Sequence, residues 1–435
     1  MIFIEHSLYN DASVKTNLGA PQYSYYFVRK AFAPALDRLG RRIGVTDPAN
    51  EVDAIYREAA GRGEPCIFLS FNPPHKAAIS DVCPTIPVFA WEYDTIPDEI
   101  WDDDPRHDWR STLRRTAGSI TLSRDSAAAV RRAMGEAYPV WSIPSPLFDS
   151  FAGKERSSVG WREPFELCLD GALAVSARDI DLAFFRPDGD QNRGVRALRL
   201  LNRAVADATP PRIALHGVIY TSVLSPTDDR KNWRDLIAGF VWAFRRNPNA
   251  TLIVKLTHAN LEDGMAKMLR FISVLPSFEC GIVLMQGMLS KDAYSDLIDA
   301  TSYCVNTSTA EGQCLPLNEY MSCGRPAVAP AHSSLLDYIR PENAFVVRSD
   351  EQPAFWPHDE RAAVRARHHV VSFADLVRQY RESYSVAANE PDRYRAMSTQ
   401  AVEMMRAYCS EEVVAKQLQD VIRCVGAAAP SVRAG

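Results

Sequence analysis

The sequence has none of the patterns that mark a secreted or membrane-spanning chain. Its first residues, MIFIEHSLYN, carry an acidic residue at position 5 and lack the basic and long apolar regions of a signal peptide, so we interpret them as a first strand. No uninterrupted apolar run approaches the roughly 20 residues of a bilayer span. We therefore expect a cytoplasmic protein.

Cysteine pairs and an excess of positive charge are also missing. The nine cysteines are scattered without a Cys-x-x-Cys pair, which argues for a reducing compartment and against both a disulfide framework and a zinc site. The net charge of −5 is unlike that of a nucleic-acid binder, so no nucleic-acid partner is expected. No short-period repeat and no low-complexity tract is found.

The 435 residues do contain an alternation of short aliphatic runs with helical patterns, and their number fits two domains. Strands are predicted near 2–5, 43–45, 66–70, 86–90, 119–122, 140–142, 213–220, 251–256, 281–285, 303–306 and 327–329. Helices are predicted near 22–38, 50–61, 98–114, 124–135, 233–246, 261–275, 291–299, 316–323 and 333–338. This alternation predicts two Rossmann-like domains with parallel sheets.

Residues 148–205 fit neither predicted sheet. They contain FELCLDGALAV, a plausible strand or hairpin, followed by the helical pattern RGVRALRLLNRAVAD. Near the end of the chain, Ser410 can cap a helix with a valine- and leucine-rich face. The predicted division is therefore a first domain at 1–147, a linker with an insertion at 148–209, a second domain at 210–405 and a last helix at 406–425.

The stretch STAEGQCLPLNEYMSCGRPAVAP, residues 308–330, is the most informative part of the sequence. Pro316 and Gly324 bracket a short helix, because proline suits a first helical turn and glycine suits a helix end. In open α/β sheets ligands bind at the carboxyl ends of strands, and backbone N–H groups at a helix N-terminus bind phosphate or hydroxyl oxygens. The stretch therefore predicts a ligand site.

Two carboxylates, Glu311 on the loop and Glu319 in the first helical turns, would face this crevice. Carboxylates accept hydrogen bonds from vicinal hydroxyls, so one could hold a ribose and the other a sugar ring. The alternative is that Glu319 only favours the helix dipole and that Glu311 is solvated. The pair by itself leaves both interpretations open.

The same stretch resembles the donor-site signature of retaining glycosyltransferases of the GT-B fold, family 4. The matching residues are Ser308, Glu311, Gly312, Leu315, Pro316, Glu319, Met321, Gly324 and Pro326. The resemblance implies that Glu319 binds the ribose of a nucleoside-diphosphate sugar. It also implies that the transferred sugar is held by Glu311 and the residues that follow it, Gly312, Gln313, Cys314 and Leu315.

A second predicted anchor is Lys231, which immediately precedes an amphipathic helix with Asn232 at its N-cap. A cation beside a helix N-terminus suits a diphosphate, although Arg230 and Lys231 could instead offset the two aspartates before them. By the resemblance, Lys231 matches the family's diphosphate-binding lysine. The family's arginine five residues earlier is Pro226 here, so it is open whether Arg230 replaces it.

The first half of the chain offers weaker candidates. Gly19 resembles the glycine of the family's phosphate loop, or it is an ordinary turn residue. Trp91 and Glu92 stand where many relatives carry a histidine, and Glu92 could orient an acceptor hydroxyl or pair with an arginine. His75 is a structural residue or an acceptor contact. Six arginines between positions 110 and 132 form a solvated face or a patch for anionic lipid at the inner membrane surface.

The resemblance therefore implies a GT-B enzyme whose last helix crosses back to the N-terminal domain. The first domain would bind a glycan or lipid-linked glycan, and the second a nucleoside-diphosphate sugar, in surface polysaccharide synthesis. The expected catalytic residues are Lys231, Glu311, Arg230 and Glu92, with no metal and no cofactor besides the donor. A nucleotide-sugar epimerase and a nucleotide-sugar-binding scaffold without catalysis are the alternatives.

Overall fold

The structure, a computed structural model, describes residues 1–152, 160–207 and 211–428. The chain forms two lobes, each built on its own mainly parallel sheet. Such sheets must bury both faces, and the helices that alternate with the strands in sequence cover them. The prediction of two Rossmann-like domains is confirmed.

The N-terminal lobe is built on one six-stranded parallel sheet. Its strands are β1 (Ile2–Ser7), β2 (Arg41–Gly44), β3 (Cys66–Phe71), β4 (Thr85–Phe89), β5 (Ser119–Thr121) and β6 (Val140–Ser142). They pair in the order β2-β1-β3-β4-β5-β6. The helices are α1 (Ser24–Asp37), α2 (Pro48–Gly61), α3 (Trp109–Leu113) and α4 (Arg124–Met134). The short helix α5 (Phe148–Phe151) follows β6 and packs against the C-terminal lobe.

The C-terminal lobe contains an eight-stranded sheet. Its strands are β7 (Arg162–Cys168), β8 (Ala172–Ser176), β9 (Arg212–Leu224), β10 (Ala250–Leu256), β11 (Gly281–Gly287), β12 (Tyr303–Val305), β13 (Ala327–Pro330) and β14 (Ala344–Val347). The order is β14-β13-β12-β9-β10-β11-β8, and β7 pairs with β9. The helices are α6 (Gln191–Asp207), α7 (Trp233–Phe244), α8 (Lys267–Ser273), α9 (Lys291–Ala300), α10 (Leu315–Ser322) and α11 (Phe373–Asn389).

The interpretation that residues 148–205 fit neither sheet is wrong for the part from 162 onward. β7 pairs antiparallel with the start of β9, and β8 pairs antiparallel with β11 at the sheet edge. The two strands therefore do not form a hairpin with each other. Leu173, Val175 and Leu198 are buried in the main core of the C-terminal lobe, which explains why this segment is attached there.

The last two helices, α12 (Pro391–Cys409) and α13 (Glu411–Ala428), return the chain to the N-terminal lobe. The side chains of Val414, Leu418 and Val421 are buried in the same core as Phe32 of α1. The hydroxyl of Ser410 accepts a hydrogen bond from the N–H of Val413 at 3.4 Å, as expected of a cap. The prediction of a last helix that crosses back is confirmed.

A β-hairpin that the sequence did not predict makes a second connection between the lobes. It consists of β15 (Ser349–Phe355) and β16 (Val364–Val371), and residues 349–371 are called the arm below. The indole of Trp356 at its tip is buried in the N-terminal core. Arg367 binds Asp94 at 2.8 Å, and Arg365 binds Glu99 at 3.1 Å. The arm therefore packs against the loop that follows β4 and forms ion pairs with it.

The prediction of a continuous helix at 98–114 is wrong, because most of these residues belong to the loop that follows β4. Only α3 and a single 3₁₀ turn at Pro105–His107 are helical there. Asp102 and Asp103 both have φ of 53°, in the left-handed region, and Asp104 accepts a hydrogen bond from the N–H of Arg106. Aspartates that bond to the nearby backbone in this way compete with a helix.

Candidate functional site

The loop from Asn306 to Cys314 leaves the carboxyl end of β12 and ends where α10 begins. Cys314 has φ of 64°, which turns the chain sharply into the helix, and Pro316 occupies its first turn. Gly324 has φ of +72° and donates its N–H to the carbonyl of Met321, which ends the helix. The predicted loop and helix are therefore present at the crevice edge of the sheet.

Glu311 is the centre of a buried polar cluster on this loop. One carboxylate oxygen, Oε1, accepts hydrogen bonds from Lys231 Nζ at 2.7 Å, Ser308 Oγ at 2.7 Å and Asn306 Nδ2 at 3.0 Å. Burial raises the pKa of the Glu311 carboxyl. The positive charges of Lys231 and Arg230 have the larger effect and lower this pKa to about 2. No group in the described part of the chain donates to Oε2, which leaves that oxygen free to accept hydrogen bonds.

Lys231, the predicted diphosphate-binding lysine, forms an ion pair with Glu311. It ends a 3₁₀ turn, Asp229–Lys231, just before α7. Burial lowers the pKa of its ammonium group, but Glu311 raises it more, to about 12. Asn232 occupies the predicted N-cap position of α7, with φ of 45°. Its side chain makes no hydrogen bond to the helix N–H groups, and its amide donates to Asp235 at 3.0 Å instead.

Arg230 joins the two lobes across the crevice. Its guanidinium contacts Glu92 of the N-terminal lobe at 3.2 Å and Asp228 at 2.7 Å, and it donates to the carbonyl of Ala310 at 3.1 Å. Burial raises the pKa of Glu92, and Arg230 opposes that shift. The pairing with an arginine, one of the two interpretations open for Glu92, is therefore the contact that this structure contains.

Glu319 belongs to a second cluster, on α10. The phenol of Tyr294 on α9 donates to its Oε2. Burial raises the pKa of Glu319, while Tyr294 and the charge of Lys255 lower it. Burial in turn lowers the pKa of Lys255 to about 8. Glu319 is thus a partly buried carboxylate beside one hydrogen-bond donor and one cation.

Among the remaining predicted residues of the loop, the Gln313 side chain is already hydrogen-bonded, whereas three backbone N–H groups are free, within the described part of the chain, to donate to a ligand. The Gln313 side chain is buried and bonds to the N–H of Ser145 at 3.0 Å and to Asn318 at 2.9 Å. It therefore ties the loop to the segment between the lobes. The backbone N–H groups of Gly312, Gln313 and Cys314 have no acceptor among the described residues.

Gly19 and Gly312 each meet the opposite lobe. A Cβ added to Gly312 would lie 2.7 Å from the Cβ of Ala90, and one added to Gly19 would lie 2.8 Å from the carbonyl oxygen of Thr257. Neither position has room for a side chain. At both of the loops that the sequence singled out, the backbone is therefore in close contact with the opposite lobe.

Replacing Gly312 with alanine is expected to lower kcat/KM by about tenfold or more without unfolding either lobe. The added methyl must push Ala90 away, and overpacking of this kind costs about 1–3 kcal/mol. Opening the crevice relieves the clash, so small-angle scattering should show a larger radius of gyration. Gly61→Ala is the matched control, because a Cβ there meets nothing within 4 Å. Equal activity of the two variants would contradict the prediction.

Several residues of the site carry no clear sequence signal. Asn306, Tyr294 and Tyr23 were not predicted, although Asn306 directly follows β12 and could have been found by that position. Burial raises the pKa of Tyr23, which comes from the N-terminal lobe and lies near Lys231. His75, open between two roles, stacks on His358 of the arm with ring centroids 4.9 Å apart.

Two further features of the described ranges bear on the site. No group of three or more His, Cys, Asp or Glu side chains within residues 1–152, 160–207 and 211–428 could hold a metal ion. In those same ranges, no helix is long and apolar enough to cross a membrane.

No protein-family model matches the chain, and no curated protein matches it. Solved structures do resemble it. Sucrose-phosphate synthase of Thermosynechococcus elongatus is 15% identical over 98% of this chain and 99% of its own, with a TM-score of 0.55. HepE of Anabaena in complex with UDP is 13% identical over 97% of this chain and 99% of its own, with a TM-score of 0.50.

TarM of S. aureus, solved with UDP, is 11% identical over 82% of this chain, with a TM-score of 0.50. The match covers 55% of TarM, so this chain spans about half the length of that protein. These likenesses establish the fold. The chain has the GT-B architecture of glycosyltransferases, with two Rossmann-like lobes and a crevice between them.

Proposed function

We propose that the protein is a retaining glycosyltransferase that moves a sugar from a nucleoside-diphosphate sugar to a hydroxyl of a glycan or lipid-linked glycan. The observation that carries this proposal is the Glu311 cluster. Its Oε2 accepts no hydrogen bond from the described chain, and it lies on the same loop as the unpaired amides of Gly312 to Cys314 and beside the Lys231 ammonium. A sugar diphosphate needs just such groups.

The diphosphate is held by Lys231 together with the N-terminus of α7, because a point charge and aligned amides act on the same oxygens. Arg230 supplies the second positive charge in place of the arginine that Pro226 replaces. Glu319 accepts hydrogen bonds from the ribose hydroxyls. UDP bound to HepE and to TarM supports a nucleoside diphosphate as the common part of the donor.

Catalysis is mainly electrostatic in this proposal. The bond between the anomeric carbon and the diphosphate oxygen breaks as Lys231 and Arg230 stabilise the departing charge. The acceptor oxygen forms its bond to the anomeric carbon from the same face, and its proton passes to the diphosphate. The product then keeps the anomeric configuration of the donor. Neither a metal nor a cofactor takes part.

Glu92 links donor binding to acceptor binding. It pairs with Arg230 at 3.2 Å, and the diphosphate competes for the same guanidinium. Once the donor has taken Arg230, the Glu92 carboxylate is free to orient an acceptor hydroxyl. In this assignment the lobe of residues 1–147 binds the acceptor, the lobe of residues 210–405 binds the donor, and the helix at 406–425 ties them together.

The acceptor of this proposal is an intermediate of surface polysaccharide synthesis, used in the cytoplasm with peripheral contact at the inner membrane surface. The arginines between 110 and 132 support that contact only weakly, because Arg110 pairs with Asp108 and Arg132 bonds to the backbone of Asp94. A vesicle-flotation assay with anionic lipid would detect the contact.

The proposal is tested by a thermal-shift screen against the glucose conjugates of UDP, GDP, ADP and dTDP. At least one conjugate should raise the melting temperature, since a ligand that binds only the folded state stabilises it. The best donor is then incubated with glycan acceptors, and NMR should show the donor's anomeric configuration in the product. Proton couplings at the anomeric carbon distinguish retention from inversion.

Other outcomes point to the alternatives. A modified nucleotide sugar formed from the donor alone would identify an epimerase. Donor binding that Glu319→Ala abolishes, without turnover on any acceptor, would identify a scaffold. The capture of Arg230 by Glu92 favours the scaffold as the second candidate, because it neutralises one of the two diphosphate cations. Absence of binding to any of the conjugates would overturn the proposal.

A further inference from the structure

His332 is a buried histidine that the proposed function does not use. It lies two residues past the carboxyl end of β13, with 2% of its surface exposed. Its Nε2 atom is buried and has no hydrogen-bond partner in the described part of the chain. A buried polar atom without a partner is costly, so native proteins rarely leave one unexplained.

The other ring nitrogen of His332 is connected to the Glu311 loop. His332 Nδ1 lies 3.2 Å from Ser333 Oγ, and the same hydroxyl accepts a hydrogen bond from the N–H of Glu311 at 3.0 Å. Ser333 has φ of 45°, a left-handed conformation that costs a non-glycine residue free energy. The backbone of Ser334 also donates to the Glu311 carbonyl at 3.3 Å. The ring therefore shares the scaffold that positions Glu311.

The orientation of the His332 ring is fixed by the arm. His369 of β16 stacks on it with ring centroids 4.5 Å apart and planes within 6° of parallel. The backbone N–H of His369 donates to the carbonyl of Thr309 at 2.8 Å, on the same loop as Glu311. The imidazole is thus held between the arm and the loop, and its free nitrogen is held with it.

The chemistry of this nitrogen suits a hydroxyl group. Burial lowers the pKa of His332 to about 3, so the ring is neutral at physiological pH. A neutral imidazole nitrogen either donates or accepts one hydrogen bond, and a sugar hydroxyl can do the reverse in both cases. Glu311, on the adjoining loop, is the residue assigned to the transferred sugar.

We propose that His332 is a further residue of the donor site, whose Nε2 forms a hydrogen bond with a hydroxyl of the transferred sugar. This inference rests on the proposed function and adds a contact to it. It concerns the sugar and not the nucleotide, so it predicts an effect on the sugar-dependent part of donor affinity alone.

Two substitutions of His332 test the contributions of its two ring nitrogens separately. The asparagine amide reaches the position of Nδ1 and can keep the bond to Ser333, but it has no group at the position of Nε2. The longer glutamine amide reaches the position of Nε2. Isothermal titration uses UDP, GDP, ADP and dTDP and their glucose conjugates. For each nucleotide that binds, it gives two dissociation constants per variant, one with the sugar and one without it.

We expect His332→Asn to lose about 3- to 10-fold of the affinity that the sugar adds, which is the usual range for one neutral hydrogen bond. The affinity for the free nucleoside diphosphate should stay within twofold of wild type. His332→Gln should keep most of the sugar-dependent affinity. The control is His358→Phe, which alters a partly buried histidine of the arm that stacks on His75, and it should change neither constant.

The remaining outcomes overturn the inference. Equal sugar-dependent affinity in wild type and His332→Asn would show that Nε2 makes no contact with the sugar. Equal losses with and without sugar, or equal losses in the asparagine and glutamine variants, would show a purely structural role. Those results leave the proposed function intact. Wild-type protein that binds none of the nucleotides would overturn both.

Discussion

Lys231→Met is expected to lower kcat by about 10²- to 10³-fold, the usual effect of removing one group that stabilises charge in a transition state. The ammonium lies 2.7 Å from Glu311, on the turn before α7. In the proposed mechanism the departing diphosphate develops its charge there. The affinity for the acceptor should not change, because Lys231 belongs to the lobe proposed to bind the donor. Steady-state kinetics with the donor identified by the thermal-shift screen measure both quantities.

The same substitution leaves the Glu311 carboxylate buried without its main counter-ion, and this could lower activity through stability alone. The double variant Lys231→Met/Glu311→Gln separates the two effects, because it removes both charges. Its melting temperature should return toward that of wild type, while its turnover stays low. Lys30→Met, which breaks an exposed ion pair with Asp11, is the surface control. A folded Lys231→Met protein with normal turnover would contradict the diphosphate role.

The loop from Asn306 to Cys314 could be predicted from sequence because its signals are local. Pro316, Gly324 and the short apolar strand Tyr303–Val305 before Asn306 each fix the backbone at their own position. The strands β1 to β6 and β9 to β13 were predicted within a few residues for the same reason, since buried parallel strands are continuous apolar runs, whereas β14 was missed. Ser410 as a helix cap is also a local signal, and the structure contains that helix.

The contacts between the lobes could not be predicted in this way. The ion pair between Arg230 and Glu92 joins charged residues of different domains, and nothing in the local sequence links them. Their side chains come within 3.2 Å only in the folded chain. The arm escaped prediction because β15, with the sequence SDEQPAF, is polar and mostly exposed and therefore lacks the alternation of a half-buried strand. The stack of His332 on His369 depends on the arm and was missed with it.

Glu319→Gln is expected to weaken binding of the nucleoside diphosphate by about a hundredfold or more. Hydrogen bonds to a charged acceptor are worth about 1.5–3 kcal/mol each, and a ribose offers two hydroxyls to one carboxylate. Glutamine keeps the size of the side chain but loses the charge. Isothermal titration with the free nucleoside diphosphate isolates the effect from any contact with the sugar.

The ribose assignment can be separated from a structural role of Glu319, because Tyr294 donates to the same carboxylate. Tyr294→Phe removes that donor and leaves the carboxylate, so its effect on binding should not exceed about tenfold. A 2′-deoxynucleotide completes a thermodynamic cycle with Glu319→Gln. If Glu319 accepts the 2′-hydroxyl, deleting that hydroxyl weakens binding to wild type but not to the variant, which gives a coupling energy of about 1 kcal/mol or more. Additive effects of the two changes would show that this carboxylate does not bind the ribose, and would leave Glu319 as a structural partner of Tyr294.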